Sequence, residues 1–271
     1  MKNCLVHFSP RQRENRSARA LKQAALLAVL TIATAPGQNL PDAQEVLATV
    51  RLRQAQQQID LRGQLRQDAL VVPFRLVQEG TVVRYIFSNP DETLQLRLGA
   101  KDSRLEEITR RGSARISGAQ LDEAVRGTAI TYEDLALKFL YWPDAKIVGS
   151  ESIRTRDCWK IELRPAANES QYGGVLLWVD KEGGALLRMA AFDRADKLVK
   201  RFEVISAQKI EGRWFLKQMR VEAIDPKTDR VTARTYLEIK KLVRHRLQSQ
   251  GPQKILPGMP TGPRVARFFA V

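Results

Sequence analysis

Apolar and polar residues alternate with a period of two over most of this chain. Leu94, Leu96 and Leu98 alternate with Gln95 and Arg97. Trp159, Ile161 and Leu163 alternate with Lys160, Glu162 and Arg164, and Val231, Ala233, Thr235, Leu237 and Ile239 repeat the pattern. A period of two puts apolar side chains on one face of a strand and polar ones on the other. Short strands are predicted over 59–67, 71–79, 81–89, 93–100 and 103–111. Longer ones follow over Lys146–Ile153, Asp157–Arg164, Gly173–Val179, Ala185–Phe192, Leu198–Gln208, Trp214–Ala223 and Val231–Leu242. The joints "KEGG", "DRAD", "IEGR" and "DPKTD" are turn chemistry. About eleven or twelve antiparallel strands result, mainly β with two or three helices. A strand of about twelve residues spans roughly 40 Å, which suits a curved, barrel-like sheet. Pro73 lies inside its run and predicts an edge strand or a bulge there.

Two segments carry the helical period instead. Asp42 is a good N-cap with Glu45 three residues on, and Val46, Leu47 and Val50, with Ala43 and Leu52, form an apolar stripe. A helix is predicted from about Asp42 to Gln57. Helical turns are predicted near Gln120–Val125. The stretch "YEDLALKFLYWPD" (132–144) reads as a helix from Tyr132 to Tyr141, stopped by Trp142-Pro143. Its Asp134 and Lys138 are spaced as an i,i+4 pair. Leu135, Phe139 and Trp142 lie on one face with Tyr132, and Leu137 and Tyr141 on another, so this helix must be covered on more than one side. Two readings stand side by side: ordinary core packing, or a lid over an apolar concave sheet.

The ends read differently. Residues 1–37 have the form of a secretory signal, with a basic start and the apolar run "AALLAVLTIATA" (24–35), too short to span a membrane as a stable helix. Cleavage at Ala33-Thr34-Ala35 or after Gly37 would start the mature chain near Pro36 or Gln38, in the periplasm. A single domain is expected over 38–244. Residues 245–271 hold Pro252, Pro257, Pro260 and Pro263 and predict a flexible tail.

The 271 residues carry 45 Lys+Arg against 30 Asp+Glu, a formal net charge of +15. Such an excess favours polyanions or anionic headgroups, or serves solubility. The basic residues alternate with acids along every strand, with no concentrated basic and aromatic face for nucleic acid. Only two histidines occur, His7 and His245, and no metal-binding, nucleophile or phosphate-loop motif is present. Neither catalysis nor a cofactor or metal is expected. Cys158 is the one cysteine left after leader cleavage, which rules out an internal disulfide, and it reads as a packing residue.

The stretches "YEDLALKFLYW", "CWKIELRP", "LLWVDKEGGALLRM", "DKLVKRFEV" and "WFLKQMRVE" resemble the periplasmic lipoprotein carriers LolA and LolB and the wider group of outer-membrane lipoprotein-sorting proteins. The resemblance runs from about Asp42 to Val243. It implies an unclosed half-barrel with helices over its concave face and a cavity for the acyl chains of lipoproteins or other lipids. It also implies a monomeric carrier passing cargo toward the outer membrane, between an inner-membrane exporter and an outer-membrane acceptor. An adaptor domain that binds a protein segment, or assists a lipid exporter, is the alternative. The candidate lid and lining are Tyr132, Leu135, Phe139, Trp142, Leu94, Leu96, Leu98, Tyr85, Phe87, Trp159, Ile161 and Leu163. Such carriers hold the lid with a cavity arginine, for which Arg75, Arg84 and Arg97 are the candidates.

Overall fold

A computed structural model describes residues 40–166, 170–210 and 213–245. The expected leader and nearly all of the expected tail lie outside these residues. Helix α1 (Ala43–Ala55) starts where Asp42 accepts hydrogen bonds from the backbone N–H groups of Gln44 and Glu45. It buries Ala43, Leu47 and Val50, while Leu52, expected on the same stripe, is exposed.

Thirteen strands follow among the described residues: β1 (Gln58–Gln67), β2 (Leu70–Glu79), β3 (Val82–Phe87), β4 (Glu92–Leu98), β5 (Ser103–Thr109), β6 (Gly112–Arg115), β7 (Asp144–Ile153), β8 (Arg156–Arg164), β9 (Gly174–Asp180), β10 (Leu186–Phe192), β11 (Leu198–Ile210), β12 (Arg213–Asp225) and β13 (Arg230–His245). They form one antiparallel sheet in the order β6-β5-β4-β3-β2-β1-β13-β12-β11-β10-β9-β8-β7. Both ends of that order are edges, so the sheet is an unclosed half-barrel. Every neighbour is a sequence neighbour except β1 and β13, which join two meanders. The strand beyond the sequence reading is β6, four exposed residues on the edge that carry no apolar alternation.

The period-two reading holds where it was strongest. Leu94 and Leu96 are fully buried on β4, and Ile161 and Leu163 on β8, while Trp159, Lys160 and Glu162 are half-buried. Gln95 departs from it. It is buried on the outer face, where it accepts from Arg84 Nε at 3.0 Å and faces Glu106 at 3.5 Å. Pro73 also departs, since β2 is an interior strand. Pro73 pairs with Gln64 of β1, but the β2–β3 ladder begins only at Phe74↔Phe87. The missing N–H therefore falls where β3 has already ended, and breaks no ladder bond on that side.

Two cores lie on the concave face. One joins β1–β5 and β11–β13 around Phe74, Phe87, Leu94, Leu96 and Val221. The other lies under α1 and joins β8–β10 around Leu47, Ile161, Leu163, Val175 and Leu177.

The candidate lipid cavity and its lid

The segment expected as one helix is two. Helix α2 (Tyr132–Ala136) ends at Leu137, whose φ of 53° and ψ of 27° are left-handed, and a 3-10 turn (Lys138–Tyr141) follows. This break separates the two apolar faces. Tyr132 and Leu135 pack on the first core, Phe139, Leu140 and Trp142 are buried in the second, and Leu137 touches both. The expected Asp134–Lys138 pair does not form, because the break carries Lys138 out of helical register and Asp134 turns inward.

Each half is held by its own side of the protein. Arg51 of α1 donates to the Leu140 carbonyl at 2.5 Å and stacks over Tyr141, and Gln44 donates to the carbonyls of Trp142 and Pro143. On the other side, the Ser103 hydroxyl of β5 donates to the Ala136 carbonyl at 2.6 Å, closing the end of α2.

At the start of α2 a buried polar cluster ties it to the sheet. Asp134 accepts from the Thr131 N–H at 2.8 Å, from the Tyr172 hydroxyl at 2.7 Å and from Lys200 Nζ at 2.7 Å. Asp134 and Lys200 are 7% and 6% exposed. Burial, reinforced by Asp134, pushes the Tyr172 hydroxyl far above its ordinary value, which keeps it a donor. Glu133, the residue before Asp134, is tied to the same 170–172 segment. It accepts from the Ser170 hydroxyl and from the Gln171 N–H, and burial raises its carboxyl above the ordinary value despite those bonds. Tyr132 donates to Glu92 at 3.0 Å, and burial together with that carboxylate pushes its hydroxyl up to about 12.

Between α2 and the concave sheet lies a cavity of about 250 Å³. The β1–β3 wall includes Ile59, Leu61, Leu76 and Tyr85, and the β11–β13 wall Phe202, Met219, Leu237 and Leu242. Val125, Ile130, Leu135 and Leu137 roof it. The polar lining residues are Gln57, Asp134 and Gln208, with the Tyr85 hydroxyl, which burial pushes up to about 12 and so keeps protonated. Gly63 lets β1 approach Phe74 at the cavity wall, since a Cβ there would sit 2.6 Å from the Glu238 carbonyl oxygen and 2.7 Å from Phe74 Cζ.

Of the twelve candidate lining residues, Tyr85, Phe87 and Leu135 line this cavity. Leu94, Leu96 and Leu98 lie in the first core beside it, where Tyr132 also packs. Phe139, Trp142, Ile161 and Leu163 are buried in the second core, and Trp159 packs on it. None of the three candidate arginines reaches the cavity. Arg75 pairs with Asp60 at 2.8 Å, Arg84 with Glu79 at 3.7 Å and Arg97 with Glu106 at 3.1 Å, all on the outward register of their strands. The cation that meets α2 is Lys200, through Asp134. Its signal in the sequence is a lysine two residues before Phe202, on the inward register of β11, with no apolar reason to be there.

A half-wrapped antiparallel sheet with a short helix closing an apolar cavity is the LolA-like fold. Solved structures share it at low identity. A DUF1329 family protein from Desulfovibrio piger matches with 21% identity and a TM-score of 0.56, over 78% of this chain and 95% of that one. An outer membrane lipoprotein-sorting protein domain from Vibrio parahaemolyticus gives 16% and 0.58, over 77% and 93%. A LolA superfamily protein from Nitrosomonas europaea gives 15% and 0.54, over 78% and 95%. No curated protein matches the chain. A family described as "-like: Uncharacterized protein" matches residues 109–247, and the chain belongs to that family.

Proposed function

We propose that this protein is a non-enzymatic periplasmic carrier that holds an acyl chain of a lipoprotein or another lipid in the cavity beneath α2. The observation that carries this reading is the lining. The cavity walls are apolar from β1–β3 across to β11–β13, and few polar groups reach them. An acyl chain needs such a surface, whereas a bound peptide needs backbone hydrogen-bond partners. A volume of about 250 Å³ sits just under the roughly 300–1,000 Å³ of pockets that enclose a whole small molecule. It suits one chain, with the rest of the lipid outside. The sorting-domain and LolA superfamily relatives share the fold and support the assignment of cargo class. Export through the leader and transfer between an inner-membrane exporter and an outer-membrane acceptor complete the reading.

A fluorescent fatty-acyl probe tests it. The wild-type protein should bind the probe saturably, and Leu135→Asp should abolish binding, because an unpaired carboxylate in an apolar pocket costs several kcal/mol. Leu135 is half-buried at the roof, so the melting curve should survive the change. Unchanged probe affinity in that variant would remove the assignment. N-terminal sequencing of the native protein should find a start near Pro36 or Gln38.

A further inference from the structure

The cavity wall is split at one end. The β12–β13 ladder stops at Gln218↔Glu238. Beyond that point β12 continues with β11 to Ile210↔Arg213, and β13 continues with β1 to Ile59↔His245. Register shifts flank both arms, at Val204/Ser206 and Ser206/Ala207 on one side and at Asp60/Leu61 and Arg62/Gly63 on the other. Bulges increase local twist, and twisting the outer partner of each arm drives the arms apart. Phe215, Leu216, Ile239 and Leu242 from the two arms all line the cavity. Three of them are half-buried, as are Ile59, Leu61, Leu76, Phe202 and Met219 along the walls, while Phe87, Val125 and Ile130 at the far end are buried. The cavity therefore opens at this fork.

The lips of the fork differ from the rest of the sheet. Trp214 and Val243 are 43% and 48% exposed. Exposed cations surround them: Arg62, Lys209, Lys217 and Lys241, with Lys209 Nζ 6.0 Å from the Trp214 ring centre. None of these four pairs with a carboxylate among the described residues. Away from the fork, the same strands match their cations closely. Glu203 meets Arg188 and Arg220, Glu222 meets Arg201, Arg220 and Arg234, and Glu238 meets Arg66 and Lys240. Along β11–β13 the cations away from the fork are matched by carboxylates, Arg230 at the far end of β13 excepted, while the four beside the opening are not.

We propose that the fork between β12 and β13 is a docking face for an anionic bilayer. The unpaired cations attract the headgroups, Trp214 and Val243 enter the interface, and the opening between the arms faces the acyl chains. This rests on the carrier reading for its purpose but not for its test. An aromatic ring with cations beside it suits the headgroup boundary, where one end is apolar and the other wet. A protein partner would need a complementary acidic surface and would not need the cavity mouth.

Vesicles of phosphatidylcholine with phosphatidylglycerol, carrying brominated acyl chains, test this in the full chain. The readout is the quenching of tryptophan fluorescence that disappears in Trp214→Phe. It reports this site and ignores any binding by other segments. Quenching should be strong with the anionic vesicles, weak with phosphatidylcholine alone, and reduced by added salt. The triple variant Lys209→Gln, Lys217→Gln, Lys241→Gln should weaken it on the order of 100-fold, about fivefold per charge. Its melting curve and its affinity for the soluble acyl probe should be unchanged. No Trp214 quenching, equal quenching on neutral vesicles, or full quenching in the triple variant would each overturn the docking face. Failure of the wild-type protein to bind the probe in solution would instead overturn the carrier reading, with the Trp214 result still deciding the docking.

Discussion

Lys200 of β11 and Asp134 of α2 meet at 2.7 Å, both buried, where Asp134 lines a mostly apolar cavity. A pair of this kind adds little net stability, because desolvation offsets the attraction, yet breaking it leaves one charge stranded. Lys200→Met alone should cost about 3–5 kcal/mol. Adding Asp134→Asn should recover much of that loss. Denaturant titration of the single and double variants measures the coupling, and additive losses would show that the pair does not latch α2.

Glu133 supplies a pH dependence. Burial raises its folded carboxyl above the ordinary 4.5 despite the bonds from Ser170 and Gln171. The folded state therefore holds this proton more tightly than the unfolded chain does. Its contribution is fully present at pH below the ordinary value and is lost as pH rises through the folded value. Glu133→Gln removes that loss. The variant should gain stability over the wild type at neutral pH, with the gap closing as the pH falls below the ordinary carboxyl value. Denaturation midpoints across that range measure it, and a gap that widens toward acid would reverse the sign.

The break at Leu137 predicts that neighbouring residues behave differently. Phe139 is 5% exposed in the second core, so Phe139→Ala should cost about 3–5 kcal/mol while leaving acyl-probe affinity in the surviving folded fraction nearly unchanged. Leu135→Asp should show the opposite pattern. Melting curves and probe titrations on both variants separate the two halves of the segment.

Gly63 has no room for a side chain. Gly63→Ala would press a methyl group against the Glu238 carbonyl and the Phe74 ring, and overpacking of this kind costs about 1–3 kcal/mol. A lowered denaturation midpoint is expected, together with weakened probe binding, because Phe74 lines the cavity.

Cys158 is fully buried, and burial pushes its thiol up to about 11. A thiol with so little thiolate, and no access, should resist alkylation in the native protein and react once the chain is unfolded. Mass spectrometry of the peptide that carries Cys158 reads this directly.

Much of the fold is decided by local pattern. The alternation of Leu94, Leu96 and Leu98 and of Ile161 and Leu163 assigns strands and an inner face, because a side-chain period of two has one solution when one face is buried. Asp42 places the start of α1, because a cap acts within three residues. The resemblance to lipoprotein carriers supplied the half-barrel. What tertiary structure alone decided is how distant positions meet. The stretch from Tyr132 to Tyr141 has the composition of one helix, yet two separate cores claim its two ends, and only a left-handed turn at Leu137 lets each end satisfy its own. The partner of Asp134 is Lys200, 66 residues away, not Lys138 on the next turn, because the buried carboxylate needs a buried cation. The fork between β12 and β13 is invisible in either strand's sequence, since each keeps its other neighbour past the point where the two part. It exists because the β1–β13 and β11–β12 ladders continue where the β12–β13 ladder stops, and a parting of registers is a property of the assembled sheet.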